Sequence, residues 1–253
     1  MENSRTLIEV ATILVFAVLQ SIFGIGLLFF GTPTLLLLGF PFVDTLAVLL
    51  PASITVSLLQ VAGGKLPDPE RIRSIVIWCL IPLAVVLVGS IGFGWDVKLD
   101  LFVAIILLAY VPIRVSSRMM EPFRDSVRRL PKLWLIVIGV VHGLSNLGGG
   151  LLGIFAANSL ADRLAIRSYV AFCYLCFAAI QLTALAILTP HVMYLGQFGY
   201  AALAAGVFVI VERRLFGSIS APAFESLFTV LIGCYSALLF LKQTGVFNSA
   251  MPS

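Results

Sequence analysis

The strongest constraint on this chain is a break in an apolar run. Residues 139–160, GVVHGLSNLGGGLLGIFAANSL, place Ser145, Asn146 and three consecutive glycines inside a segment otherwise fit for a bilayer. Residues 18–40, VLQSIFGIGLLFFGTPTLLLLGF, repeat the plan of apolar helix, polar position, glycine break and short second helix. At an offset of 122, Gln20 falls on His142, Gly26 on Gly148 and Gly31 on Gly153. Broken helices expose backbone N–H and C=O groups that lipid cannot satisfy, so such breaks persist only inside protein or beside a watery cavity. Two breaks in register predict a duplicated fold whose glycine breaks face each other across a pseudo-twofold axis.

Composition supports the membrane setting. The chain is 60% hydrophobic and 11% charged, whereas soluble domains carry about one-quarter charged residues. The net charge of +4 is then a topology signal, because basic residues collect in cytoplasmic loops; nucleic acid is not an expected partner. Cys79, Cys173, Cys176 and Cys234 lie in apolar runs, where the Cys173–Cys176 spacing reads as two small packing residues on one helix face. The opening MENSRTLIEV lacks the basic start and cleavage site of a signal peptide.

A crossing takes about 20 apolar residues. Residues 44–63, 74–94, 99–117, 165–188, 192–211 and 222–242 each supply one. Residues 6–40 and 133–160 are too long for one crossing and too short for two. If both cross, lysine and arginine divide 11 against 5 between the two sides; if both are re-entrant, they divide 13 against 3. The positive-inside rule favours the second arrangement. The expected fold is therefore an all-α polytopic membrane protein of two inverted repeats, each a re-entrant broken helix plus three transmembrane helices. One domain spans 1–253, with repeat one at 6–117, a solvated cytoplasmic linker at 118–132 and repeat two at 133–242. Both termini fall on the periplasmic side.

Several residues stand out within this frame. A second pair, Gln60 and Gln181, aligns at an offset of 121. Gln20, Gln60 and Gln181 are costly in lipid and should face the interior, as substrate donors or as helix-to-helix hydrogen bonders. Pro33 suits the first turn of a half-helix starting near 32, while Pro51 and Pro82 kink their helices. Glu9 and Glu225 read as end-of-helix residues that cap or snorkel. Arg167 reads as a guard at a cytoplasmic entrance or as a positive-inside anchor.

The FGIG break, its counterpart GLSNLGGG, the loop KLPDPERIR and a length near 250 residues together resemble the TauE/SafE family of sulfite exporters. The likeness runs through both halves. It implies a transporter of sulfur-containing anions, sulfite or small organosulfonates, in the bacterial inner membrane. Repeat one departs from the family in its thinner glycine run, Gly24-Ile25-Gly26, which lessens its backbone approach to a ligand.

Helix termini at the breaks suit an anion, because unpaired N–H groups and the positive end of the helix dipole point into the cavity. Gly24, Gly26 and Thr32 in the first break, and Ser145, Asn146, Gly148, Gly149 and Gly150 in the second, are the candidate donors. Tight packing is the ordinary role of such glycines, notably at the Gly139–Gly143 and Gly149–Gly153 spacings. Free histidine titrates near neutral pH, so His142 is a candidate for coupling transport to protons, or else a neutral hydrogen bonder between helices. The expected function is a secondary transporter working by alternating access; a passive anion channel and a carrier of small carboxylates are the alternatives. No HExxH, GxSxG or paired deep carboxylates point to an enzyme. No metal or other cofactor is expected, the partners are a small anion and the bilayer, and oligomerisation is left open.

Overall fold

The computed structural model describes residues 2–92, 116–160 and 162–214, with isolated helical positions between 103 and 109 and between 230 and 241. All described elements are helical: α1 (Glu2–Phe23), α2 (Leu27–Leu37), α3 (Phe42–Ala62), α4 (Pro69–Gly92), α5 (Ser117–Arg129), α6 (Pro131–Ser145), α7 (Gly148–Ser159), α8 (Arg163–Leu188) and α9 (Gln197–Arg214). Among them Ser4–Phe23, Phe42–Ala62, Pro69–Gly92 and Leu164–Leu188 are long and apolar enough to cross a bilayer. The chain is a multi-pass membrane protein. The spans expected at 99–117 and 222–242 lie outside the described residues apart from isolated helical positions.

Local chemistry sets the boundaries. Asp162 caps α8 by accepting the Ala165 N–H at 2.8 Å, as an N-terminal carboxylate does. Pro69 opens α4, where its missing N–H costs nothing. Pro82 lies just beyond a π-helical turn at Val76–Leu80, a widening that accommodates a residue unable to donate to the preceding turn. The helix expected near residue 32 begins earlier, as a π-helical turn at Leu27–Gly31 that continues into Thr32–Leu37 with Pro33 in its first turn.

The two glycine breaks share one geometry. A Cβ on Gly26 would lie 2.5 Å from the Phe16 carbonyl oxygen and collide with the backbone N of Gln20. A Cβ on Gly148 would lie 2.7 Å from the Ile138 carbonyl oxygen and 3.1 Å from the backbone N of His142. Each glycine thus folds back onto the residues six and ten positions before it, and the two sets of contacts are related by the offset of 122. In the second break Asn146 supplies the reversal, at φ 64°.

Polar contacts fix where the hairpins open. Arg5 pairs with Asp44 at 3.0 Å and lies over the Phe40 ring, which holds both ends of the α1–α2 hairpin beside the start of α3. Arg71 donates to the Ser159 carbonyl at 3.3 Å, and Lys132 lies over the Trp78 ring, which holds both ends of the α6–α7 hairpin beside the first half of α4. The 21 residues of α3 separate these two ends.

Within the 6–40 segment read as re-entrant, Ser4–Phe23 is by length and composition enough for a whole crossing. The two breaks touch each other: Gly24 at the first tip lies against the Arg167 carbonyl and Val170, Ile25 reaches Gly153, and Asn146 at the second tip reaches Thr32. The 118–132 stretch is not a loop but largely the helix α5, pinned by Phe123 on the Trp134 ring at 4.5 Å and by the Trp134 indole N–H donating to Ser126. Its charges occupy the outer face of a helix whose Val127 is buried.

Packing explains the Gly139–Gly143 pair in ordinary terms. The two glycines press α6 against the backbone carbonyls of Cys79 and Leu83 on α4, the close approach that small residues four apart permit. Cys173 is buried and Cys176 half-buried on α8, neither in a disulfide.

Candidate functional site

All twelve residues singled out from the sequence, from Gln20 in α1 to Gln181 in α8, are buried. They form two groups, one at each break.

At the first break Gln20 is fully engaged. Its amide nitrogen donates to the Ser53 carbonyl (3.1 Å) and to the Ser57 hydroxyl (3.0 Å), and its oxygen accepts the Leu27 N–H (3.1 Å). Gln60 donates to the carbonyls of Gln20 (2.7 Å) and Ser21 (3.0 Å) in the last turn of α1. These amides satisfy broken backbone, and their donors are spent within the protein. Gly24 adopts φ 75°, a left-handed turn that side chains disfavour.

At the second break a chain of hydrogen bonds links the hairpins. Gln181 donates to the Asn146 side-chain oxygen at 2.6 Å, and the Asn146 amide donates to the Thr32 hydroxyl at 3.0 Å. Ser145 turns inward to its own helix, donating to the Val141 carbonyl at 2.7 Å, and accepts the Leu147 N–H. Gly148, Gly149 and Gly150 form the first turn of α7, which no side chain caps.

Around that uncapped turn lie buried polar atoms without hydrogen-bond partners: both ring nitrogens of His142, the Tyr174 hydroxyl and the Gln181 side-chain oxygen. The His142 ring packs against Phe177 at 4.4 Å and Tyr174 at 5.6 Å between centroids. Gln181 lies beside it without closing a hydrogen bond of normal geometry. The Tyr174 hydroxyl sits where a Cβ on Gly149 would be. Leaving a buried polar atom unpaired costs about 1–3 kcal/mol, so several at one helix start mark a place that a polar ligand or water completes. Tyr174 was not among the sequence candidates, because a tyrosine in an apolar run has the signature of core.

At the other end of Gln60 a cavity of about 540 Å³ opens, lined by Gln60, Gly64, Lys65, Arg167 and Glu212 among others. Lys65 and Arg167 thus line the same cavity. Glu9 neither caps nor snorkels: it is buried and accepts the Tyr200 hydroxyl. Glu225 falls outside the described residues.

Residues 10–242 match the family model described as sulfite exporter TauE/SafE. The chain belongs to the TauE/SafE sulfite exporter family. Searches of curated proteins and of solved structures gave no match. Membership of the TauE/SafE family implies membrane transport of sulfur anions and, in general terms, a non-enzymatic role.

Proposed function

We propose that this TauE/SafE protein is a secondary transporter that carries a small sulfur-containing anion, of the sulfite or organosulfonate class, across the bacterial inner membrane by alternating access. The observation that carries this reading is the set of unpartnered polar groups at the uncapped start of α7, where the Tyr174 hydroxyl lies against Gly149 and the His142 ring packs beside Tyr174. Helix N-termini bind oxyanions through backbone N–H groups and the dipole, without a buried cation.

The architecture proposed is an inverted repeat of two re-entrant hairpins, with both termini periplasmic. Three findings support it. The breaks share one backbone geometry at an offset of 122, the hairpins open toward opposite ends of α3, and their cross-contacts are reciprocal. Ile25 meets Gly153, and Thr32 meets Asn146; the offset converts the first pair into 147 with 31, within one residue of the second. Such reciprocity is the signature of a twofold relation.

His142 takes up a proton as the anion arrives, since a negative charge beside the ring favours the imidazolium. The donor role expected of Gln20, Gln60 and Gln181 passes to backbone N–H groups, Tyr174 and His142. Counterflow in proteoliposomes loaded with unlabelled sulfite tests the proposal. Saturable exchange of radiolabelled sulfite supports a carrier; unsaturable conductance would make it a channel, and exchange of carboxylates alone would remove sulfur anions as the substrate.

A further inference from the structure

Resting on that reading, we propose that the cavity between the end of α3, the start of α8 and the end of α9 is a capture site for a small oxyanion. There the anion takes the Arg167 guanidinium from Glu212.

Arg167 and Glu212 form two parallel hydrogen bonds, Nη2 to Oε2 at 2.6 Å and Nη1 to Oε1 at 3.3 Å. A lipid-facing anchor would extend to the headgroups, but the Arg167 side chain is only 11% exposed and lines the cavity with Gln60, Gly63 and Gly64. Glu212, at 38% exposure, is the more solvated partner and loses less on release into water. The planar fork that binds its carboxylate fits two oxygens of a sulfite or sulfonate equally well.

The other charges on the lining favour an anion. The Asp162 carboxylate is committed to capping α8, while Lys65 makes no ion pair among the described residues and adds a positive charge at the mouth. The site also adjoins the transport path. Gln60 runs from the lining to the carbonyls at the first break, and the tip glycine Gly24 rests on the Arg167 carbonyl. An anion that unlocks Arg167 from α9 therefore acts on the residue that supports the first hairpin.

Isothermal titration of the detergent-solubilised full chain with sodium sulfite tests this, using Glu212→Gln, Arg167→Gln and, should the latter fold poorly, Arg167→Lys. Glu212→Gln removes the competing carboxylate and is expected to tighten sulfite binding about tenfold, whereas Arg167→Gln weakens it by a similar factor and Arg167→Lys by less. A merely structural ion pair predicts no gain for Glu212→Gln. Unchanged or weaker binding by Glu212→Gln, with wild type binding normally, would overturn the capture site alone. Absence of sulfite binding by wild type and every variant would overturn the sulfur-anion reading together with it.

Discussion

The Asn146 side-chain amide donates to the Thr32 hydroxyl at 3.0 Å, a bond between residues 114 positions apart that ties the tip of one hairpin to the second helix of the other. Asn146 also holds Gln181 and occupies a left-handed backbone position. Replacing it separates two effects. Asn146→Gly keeps the turn and loses the bonds, leaving a buried Gln181 donor unpaired at a cost of about 1–3 kcal/mol. Asn146→Ala adds strain of about 1–2 kcal/mol. Apparent melting temperatures should rank wild type above Asn146→Gly above Asn146→Ala; equal values for wild type and the glycine variant would show that the bonds contribute nothing.

The paired break glycines should fail alike. Gly26→Ala and Gly148→Ala both drive a Cβ into backbone that cannot yield, so neither should give folded protein in detergent extraction and size-exclusion chromatography. Gly206→Ala in α9, where a Cβ meets nothing within 4 Å, should fold as well as wild type or melt slightly higher, since alanine is favoured over glycine in a helix by about 1 kcal/mol.

These two breaks were legible in the sequence because glycine and amide side chains in apolar runs have few reasons to be there. The offset of 122 placed Gln20 on His142 and Gly26 on Gly148, and the structure gives the two glycines equivalent backbone contacts. What the equivalence concealed was the use of each side chain. A glutamine that donates to substrate and one that closes a broken helix look identical in sequence, and Gln20 and Gln60 do the latter. Tyr174 was illegible because its hydroxyl gains meaning only from Gly149, 25 positions away and pressed against it.

Glu9 and Tyr200 tie α1 to α9. Tyr200→Phe leaves a buried carboxylate without its donor and should lower the melting temperature, with a loss of about 1–3 kcal/mol. Glu9→Gln retains an acceptor for the tyrosine and should lose less. Thermal unfolding that ranks the two in reverse order would contradict this role.

His142→Gln removes the titrating ring while keeping a polar side chain. Wild-type sulfite uptake should rise as pH falls, because the bound anion favours the protonated ring. The variant should retain saturable uptake but lose that dependence, as measured in proteoliposomes at several fixed pH values without a gradient. Persistence of the full pH dependence would eliminate His142 as the coupling group.

The central claim is that an anion is held at the start of α7, and Tyr174→Phe tests it most directly. The Tyr174 hydroxyl is buried without a partner, so its removal relieves an unpaired polar group and should leave the melting temperature at or above that of wild type. Sulfite counterflow measured on the same preparation should nevertheless fall about tenfold or more, the loss expected for one hydrogen bond to a charged ligand. A variant as stable as wild type with undiminished sulfite counterflow would contradict the placement of the anion at this break.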